Sequence, residues 1–382
     1  MINKTYKKLA LTGGAAAAEA LRQIEPEVMP IYPITPQTPI IETYAKFQAD
    51  GMVDTEIIKV ESEHSAMSAA VGASVAGART VTATSSQGLA LMNEVLYIAS
   101  GLRLPILMVV SARALSAPIN IHGDHLDVMG ARDAGWLQLF SENAQEVYDK
   151  TIIGMKLAEK VNLPIMVIMD GFNTSHSVEN LETLETEVVK KFVGEREAIN
   201  PLLDTSNPVS YGPVALQNSY FEFRIDQEKA TLDAKEEYEK IAKDYEKISG
   251  RHYALFEEYR TEDAEKILVL TGSAAGTAKV VVDHLCDKGE KVGILKINLF
   301  RPFPHEEIAA VLKNAQEIIV MDRAQSIGTK PPFYTEIISS LYQAGEAKDV
   351  KSYVYGLGGR DIFQKQIEDV FMGKVDGQYL NK

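Results

Sequence analysis

The feature that most constrains the fold is the regular return of short apolar runs, each ending at a glycine, a proline or a polar turn. Up to residue 175 these runs occupy positions 9–12, 28–32, 80–84, 105–110 and 164–169, with helical patterns such as 15–23 between them. Runs of this length and setting are typical of parallel strands buried on both faces. Their alternation with helices predicts an α/β fold.

A change of rhythm divides the chain. Residues 182–228 contain three prolines and are predicted to be extended or irregular, and a charged helix follows over 229–249. One face of that helix is apolar and contains Tyr238, Ile241, Tyr245 and Ile248. This face predicts a linker helix that packs on a domain or subunit and ends at Gly250. A second α/β unit is predicted from Lys266, with strands at 267–273, 292–297 and 317–322. We therefore expect two domains, 1–255 and 256–382.

Charge and cysteine content exclude several classes of function. The net charge of -14 argues against nucleic acid and against anionic membrane surfaces, because both need clustered Lys and Arg. The apolar runs are far shorter than the ~20 residues of a membrane span. The one cysteine, Cys286, cannot form an internal disulfide or an iron–sulfur cluster. It is expected in the core, and a reducing cytoplasm is the expected location.

The first segment with candidate chemistry is 32–39, where a predicted strand ends in a loop that contains Pro33, Pro36 and Pro39. Three prolines cannot lie within a helix or a central strand, so the chain leaves the strand in a stiff loop. Ligands bind at this end of strands in open α/β sheets, and Thr35 offers a hydroxyl there. The alternative is a plain connection in which Thr38 caps the next helix.

Two further polar segments follow predicted strands. Glu63 lies where an extended segment gives way to a helix rich in small residues, and 84–88 forms a polar turn ending in Gly88. A carboxylate in a first helical turn is also favoured by the helix dipole, so this pattern alone favours a surface residue at Glu63. The turn could either contact a small molecule or simply cap a helix.

Arg113 follows the run 105–110, and two histidines and two aspartates come soon after it. An arginine in this place can hold a carboxylate with two parallel hydrogen bonds, or pair with a structural acid. The second group invites a metal hypothesis, but its spacing matches no known ligand pattern, which favours a polar or structural loop. It comprises His122, Asp124, His125 and Asp127.

Taken together, these segments resemble the α subunit of the pyruvate:ferredoxin oxidoreductases. The resemblance is carried, in order and spacing, by 32–36, 61–66, 84–88, 113–115, 123–125 and 170–176, and 298–304 and 321–323 are similar to the second domain of that family. It implies a doubly wound thiamine-diphosphate-binding domain of the pyrimidine type, followed by a smaller α/β domain like the transketolase C-terminal domain.

The resemblance also implies partners. In the family, a β chain binds the diphosphate through Mg²⁺ and carries iron–sulfur cysteines, so [4Fe-4S] clusters and the metal are expected in partner subunits (β, γ and δ) and none in this chain. This sequence has no Gly-Asp-Gly with a following asparagine at the family's spacing, and no cluster cysteines. The expected reaction converts pyruvate and coenzyme A to acetyl-CoA and CO₂ and reduces ferredoxin, or runs in reverse. The chain is expected to be inactive alone.

Four residues match family positions. Glu63, rather than Glu61, matches the glutamate that bonds N1′ of the aminopyrimidine, where a buried carboxyl group can exchange a proton with the ring. Thr35 and Arg113 match residues that meet the 2-oxoacid and are also expected to contact the cofactor, and Pro33 matches a proline against the cofactor. Three alternatives remain open: another 2-oxoacid such as 2-oxoisovalerate or 2-oxoglutarate, a single-chain transketolase-like enzyme, and a non-enzymatic scaffold.

Overall fold

The computed structural model describes residues 6–380, which fold as an α/β protein. In chain order its strands are β1 (Lys7–Thr12), β2 (Val28–Ile31), β3 (Glu56–Lys59), β4 (Thr80–Thr84), β5 (Ile106–Ala112), β6 (Leu137–Phe140), β7 (Ile165–Asp170), β8 (Val178–Thr183), β9 (Phe256–Tyr259), β10 (Lys266–Leu270), β11 (Val292–Ile297), β12 (Leu299–Arg301), β13 (Glu317–Asp322) and β14 (Asp349–Val354).

The helices surround the sheets. In chain order they are α1 (Gly13–Ile24), α2 (Thr38–Ala49), α3 (Glu63–Ala76), α4 (Ser86–Leu91), α5 (Asn93–Gly101), α6 (Leu126–Gly130), α7 (Ala144–Val161), α8 (Thr186–Val193), α9 (Tyr220–Ser249), α10 (Ala274–Asp287), α11 (His305–Leu312), α12 (Pro332–Gln343) and α13 (Gln364–Phe371). A short 3-10 turn, Leu357–Gly359, precedes α13.

The larger sheet has seven strands in the order β12-β6-β7-β5-β4-β2-β3. All neighbours pair in parallel except β12, which pairs antiparallel with β6. Every residue of β4, β5 and β7 is buried, as predicted for these three segments. One face packs on α1, α2, α7 and α9, and the other on α3 to α6.

Three details differ from the sequence prediction. The strand β1 lies outside the large sheet and pairs antiparallel with β8. Its lysine end is exposed and none of its residues is fully buried, unlike the strands inside the large sheet. The segment 182–228, predicted to be extended or irregular, begins within β8 (Val178–Thr183) and contains the helix α8 (Thr186–Val193). Helix α9 begins at Tyr220 rather than at residue 229, since its first turns carry exposed apolar side chains that give no core-facing pattern.

The C-terminal end of α9 is as predicted. Tyr238 and Tyr245 are buried, and Gly250 ends the helix in the left-handed conformation. The buried carboxylate of Asp149 on α7 accepts hydrogen bonds from the hydroxyls of Tyr245 and Tyr253, each at 2.5 Å, and from two nitrogens of Arg251. One buried charge therefore holds the end of the helix and the chain that leaves it.

The second sheet has five strands in the order β14-β13-β10-β11-β9. Helices α10 and α13 cover one face, and the core on the other face is continuous with the core under α3 to α6. After β11 the chain crosses back, and β12 completes the first sheet. Residue 256 is the first residue of β9, but the division between 255 and 256 stays a prediction. Among the described residues, no helix has the length and apolar character needed to cross a membrane.

Replacing Asp149 tests this anchoring of α9. Asp149→Ala leaves the Arg251 guanidinium and two buried phenols without their acceptor, so we expect the free energy of unfolding to fall by about 3 kcal/mol or more. Tyr253→Phe removes one hydrogen bond only, for an expected loss of about 1 kcal/mol. Chemical denaturation of both variants measures the difference, and equal losses would contradict the arrangement.

Candidate active site

The candidate site lies at the carboxyl edge of the larger sheet, where β2, β4 and β5 each end in a predicted polar segment. Because these strands are parallel, their carboxyl ends lie at one edge of the sheet. Pro33 and Thr35 follow β2, Gly88 follows β4 and Arg113 follows β5. The structure therefore brings together segments that lie up to 80 positions apart, as between Pro33 and Arg113.

Glu63 is the first residue of α3. Ser62 caps the helix by accepting a hydrogen bond from the backbone N–H of Ser65. Glu63 is only 7% exposed, so it is not the surface acid that the helix dipole alone would favour. Among residues 6–380, no side chain or backbone group donates a hydrogen bond of standard geometry to its carboxylate.

The turn after β4 lies directly against Glu63. A Cβ atom on Gly88 would lie 2.7 Å from Oε1 of Glu63 and 2.5 Å from Oγ1 of Thr84, so only glycine allows the carboxylate to approach the turn so closely. Oγ1 of Thr84 is itself buried without a hydrogen-bond partner in the described chain. A buried carboxylate and a buried hydroxyl thus flank one glycine.

Arg113 is buried and contacts two backbone carbonyls rather than an acid. Its Nη1 donates to the carbonyl oxygen of Thr35 at 2.8 Å, and its Nε donates to that of Asn120 at 2.9 Å. Thr35 and Pro33 are exposed at the surface of the site. The alternative capping role is not observed, since Thr38 is the first residue of α2 and Gln37 precedes it as the cap.

Sequence reasoning placed Asp127 in a polar or structural loop, with metal binding as the alternative, and did not identify its contacts. Its Oδ2 accepts from the backbone N–H of Ser86 at 2.7 Å and of Arg113 at 3.0 Å, while Oδ1 accepts from Val128. Burial raises the pKa of the Asp127 carboxyl to about 7, against the lowering effect of these N–H groups. One carboxylate thus links the turn after β4 to the turn after β5.

The neighbouring polar residues connect the two parts of the chain. Asp124 accepts from the backbone N–H of Gly358 at 3.0 Å, and Nε2 of His125 lies 2.5 Å from Oδ1 of Asp170. His122 is exposed and stacks against Phe172, with ring centroids 5.0 Å apart. These contacts assign the segment to the junction between the sheets, as the structural-loop alternative predicted.

Asp170, at the end of β7, is the centre of that junction. Its Oδ2 accepts from Nη1 of Arg323 at 2.8 Å and from the backbone N–H of Ser273 at 2.8 Å. Burial alone would raise the pKa of Asp170, but the charge of Arg323 and the contact with His125 outweigh it and lower the pKa.

Within the described residues, one group of three acids is close enough to share an ion: Glu142, Glu146 and Glu257. All three already contact Nζ of the buried Lys296, at 2.7, 2.5 and 2.6 Å. This arrangement is a charge network between α7 and the second sheet.

Comparison with known proteins identifies the family. A family model described as pyruvate flavodoxin/ferredoxin oxidoreductase, thiamine diphosphate-binding, matches residues 19–243, and one for pyruvate:ferredoxin oxidoreductase core domain II matches 264–367. The chain belongs to the pyruvate:ferredoxin oxidoreductase family. The predicted fold class, family and cofactor-binding class are confirmed.

Relatives of this family align over nearly the whole chain. A protein named pyruvate synthase subunit PorA from Thermotoga maritima is 51% identical over 99% of this chain and 97% of its own length. The protein of that name from Methanocaldococcus jannaschii is 46% identical over 94% and 92%. A ketoisovalerate oxidoreductase subunit VorA from Pyrococcus horikoshii is 42% identical over 95% and 92%.

Solved structures share the fold. A 2-oxoglutarate:ferredoxin oxidoreductase from Magnetococcus marinus superposes with a TM-score of 0.75 at 20% identity, covering 96% of this chain and 65% of that longer chain. A split-gene transketolase superposes with a TM-score of 0.57 at 9% identity, over 96% and 98%. The α/β fold is therefore common to this chain and to both of these structures.

The raised pKa of Asp127 predicts a pH effect on stability. Because the folded-state pKa is about 7 and the unfolded value about 4, folding favours the neutral acid, and Asp127 reduces stability progressively as the pH rises from about 4 to about 7. Asp127→Asn removes this titration. The midpoint of thermal unfolding of the variant, relative to the native chain, should therefore rise between pH 5 and pH 7.5. The matched variant of the exposed Asp54, Asp54→Asn, should show no such trend, and parallel curves for Asp127→Asn and the native chain would contradict the assignment.

Proposed function

We propose that this chain is the α subunit of a pyruvate:ferredoxin oxidoreductase of the pyruvate synthase type, and that it binds the aminopyrimidine of thiamine diphosphate. The observation that carries the proposal is the buried carboxylate of Glu63, which faces Gly88 and has no partner within residues 6–380. The full-length similarity to proteins named pyruvate synthase subunit supports the choice of reaction.

The residues present fit the aminopyrimidine. The Glu63 carboxyl group is largely buried and accepts no hydrogen bond within residues 6–380, so it is available to bond N1′ of the ring. Gly88 keeps the approach to the Glu63 carboxylate open, and the hydroxyl of Thr84 offers a second polar contact beside it. Pro33, exposed on the stiff loop after β2, is proposed to contact the ring by its apolar surface.

When bound, thiamine diphosphate supplies a carbon nucleophile and an electron sink for decarboxylation of a 2-oxoacid. Glu63 would hold and return a proton at N1′ of the ring, as a general acid and base.

Arg113 and Thr35 are proposed to receive the 2-oxoacid. Two nitrogens of the guanidinium are fixed by backbone carbonyls, and Nη2 makes no hydrogen bond of standard geometry in the described chain. A fixed cation with a spare donor can hold the substrate carboxylate, and the exposed Thr35 can add a hydroxyl. The similarity to a ketoisovalerate oxidoreductase subunit, VorA, supports a branched 2-oxoacid as the alternative substrate.

Partner chains are proposed to supply the rest of the enzyme. Diphosphate and Mg²⁺ binding, the [4Fe-4S] clusters and the docking of ferredoxin are assigned to β, γ and δ subunits, with coenzyme A as the acyl acceptor. Exposed apolar side chains on the first turns of α9 support contact with another chain, among them Phe221, Phe223 and Ile225. The cytoplasm is the proposed location.

The first test replaces Glu63 in the purified complex. Glu63→Gln removes the exchangeable proton with little change of shape, so we expect pyruvate oxidation to fall by about 10²-fold or more. The matched control is Glu61→Gln, two positions away and exposed, which should keep native turnover. Native turnover in Glu63→Gln would refute the role, while a complex that contains neither thiamine diphosphate nor iron would refute the proposed enzyme itself.

The second test concerns the substrate. Arg113→Ala removes the charge proposed to hold the 2-oxoacid carboxylate, so the KM for pyruvate should rise by about tenfold to a hundredfold. Binding of thiamine diphosphate should change little, because Glu63 is untouched. Rates of the native complex with pyruvate, 2-oxoisovalerate and 2-oxoglutarate identify the preferred acid. An unchanged KM in Arg113→Ala would contradict its role.

A further inference from the structure

A glycine-rich turn of the second domain, residues 356–359, lies against the loop that follows Arg113. The backbone N–H of Gly358 donates to Oδ2 of Asp124 at 3.0 Å, and its carbonyl oxygen accepts from Nδ2 of Asn120 at 3.0 Å. The N–H of Gly359 donates to the carbonyl of Gly123 at 2.9 Å. Three hydrogen bonds therefore join this turn to residues 120–124.

Glycine is required at this contact for two reasons. Gly358 and Gly359 have φ values of 61° and 79°, in the left-handed region that disfavours other residues. A Cβ atom on Gly358 would lie 2.5 Å from Nδ2 of Asn120, and one on Gly359 would lie 2.3 Å from Cβ of His122. The turn therefore approaches the loop more closely than any side chain would permit.

Asn120 passes this contact on to the arginine. Both polar atoms of its side-chain amide are hydrogen-bonded: Nδ2 donates to the carbonyl oxygen of Gly358, and Oδ1 accepts from the backbone N–H of His122 at 2.7 Å. Its backbone carbonyl accepts from Nε of Arg113 at 2.9 Å. The guanidinium is thus oriented by the carbonyl of a residue that the second domain fixes.

A second route reaches the backbone of the same arginine. Asp124, bonded to Gly358, also accepts from the N–H of Leu126, which begins α6. Asp127 in that helix accepts from the backbone N–H of Arg113 at 3.0 Å. The side chain and the backbone of Arg113 are therefore both linked to Gly358.

The loop between these anchors has little other support. Residues 116–119 are exposed and belong to no helix or strand, and Ile119 is 79% exposed. A loop with few buried contacts adopts one conformation only where hydrogen bonds impose it.

We infer that residues 356–359 of the second domain position Arg113 for the 2-oxoacid, acting through Asn120 and through Asp124. Gly358 is a positioning residue, since it acts through its hydrogen bonds to Asn120 and Asp124. The inference rests on the proposed function, in which Arg113 meets the substrate. It assigns the second domain a role in substrate binding in addition to its packing against the first domain.

The test compares Gly358→Ala with Gly345→Ala in the purified complex. Gly345 also has a positive φ, 73°, but nothing lies within 4 Å of its added Cβ, so this control carries the backbone strain without the displacement of Asn120. We expect Gly358→Ala to raise the KM for pyruvate by about tenfold while kcat changes less than about twofold, the pattern of weakened substrate binding. Gly345→Ala should keep the native KM.

Asn120→Ala provides a second, independent variant that removes the side chain without adding bulk. It should raise the KM in the same way, and the double variant Asn120→Ala/Gly358→Ala should show less than the product of the two single effects, because both act through one contact. Thiamine diphosphate affinity should stay native in all of them.

The outcomes separate the two proposals. A native KM in both Gly358→Ala and Asn120→Ala, with a raised KM in Arg113→Ala, would overturn the inference and leave the proposed function intact. An equal rise of KM in Gly345→Ala would also overturn it, since strain alone would then suffice. A native complex that does not oxidise any 2-oxoacid would instead refute the proposed function.

Discussion

The buried carboxylate of Asp170 is the interaction on which the arrangement of the two domains depends. It ends β7 in the first sheet, and it accepts from Ser273 and Arg323 of the second domain while contacting His125 beside the site. A fully buried charge is tolerated only where its partners compensate for lost hydration, so the partners of Asp170 in the second domain stabilise this contact between the domains. One hydrophobic core also continues from the first domain into the second, so the second domain is packed in a fixed position beside the carboxyl edge of the first sheet.

The sequence predicted the strands that are buried on both faces, because short runs such as those of β4, β5 and β7 are bounded by glycine, proline or polar turns, and those of β5 and β7 are almost entirely apolar. It did not predict where β1 pairs, since a short strand with an exposed lysine end can join any free edge, and the antiparallel partner β8 lies in a segment without a clear pattern. It also missed the start of α9, where exposed Phe221 and Phe223 break the core-facing periodicity that marks the rest of the helix.

The candidate site divides in the same way. Glu63 and Arg113 could be proposed from the sequence because each follows a recognisable strand and each matches a family motif. Asp127 and Asn120 could not be given roles, because their contacts are to backbone groups brought near by folding, and backbone partners leave no residue type to recognise. For Gly358 the sequence contains one indication, the three glycines within positions 356–359. They predict an unusual turn, but not that the turn contacts the loop after Arg113.

The two sides of the site are therefore supported by different parts of the chain. Glu63 and Gly88 are placed by α3 and the turn after β4, elements of the first domain alone. Arg113 is placed by Asn120 and Asp127, and the first of these depends on the second domain. A substitution in the turn 356–359 can therefore shift the guanidinium without disturbing the carboxylate proposed to meet the cofactor. In a fold of this kind, substrate selection can change through the second domain while the chemistry at the aminopyrimidine stays the same.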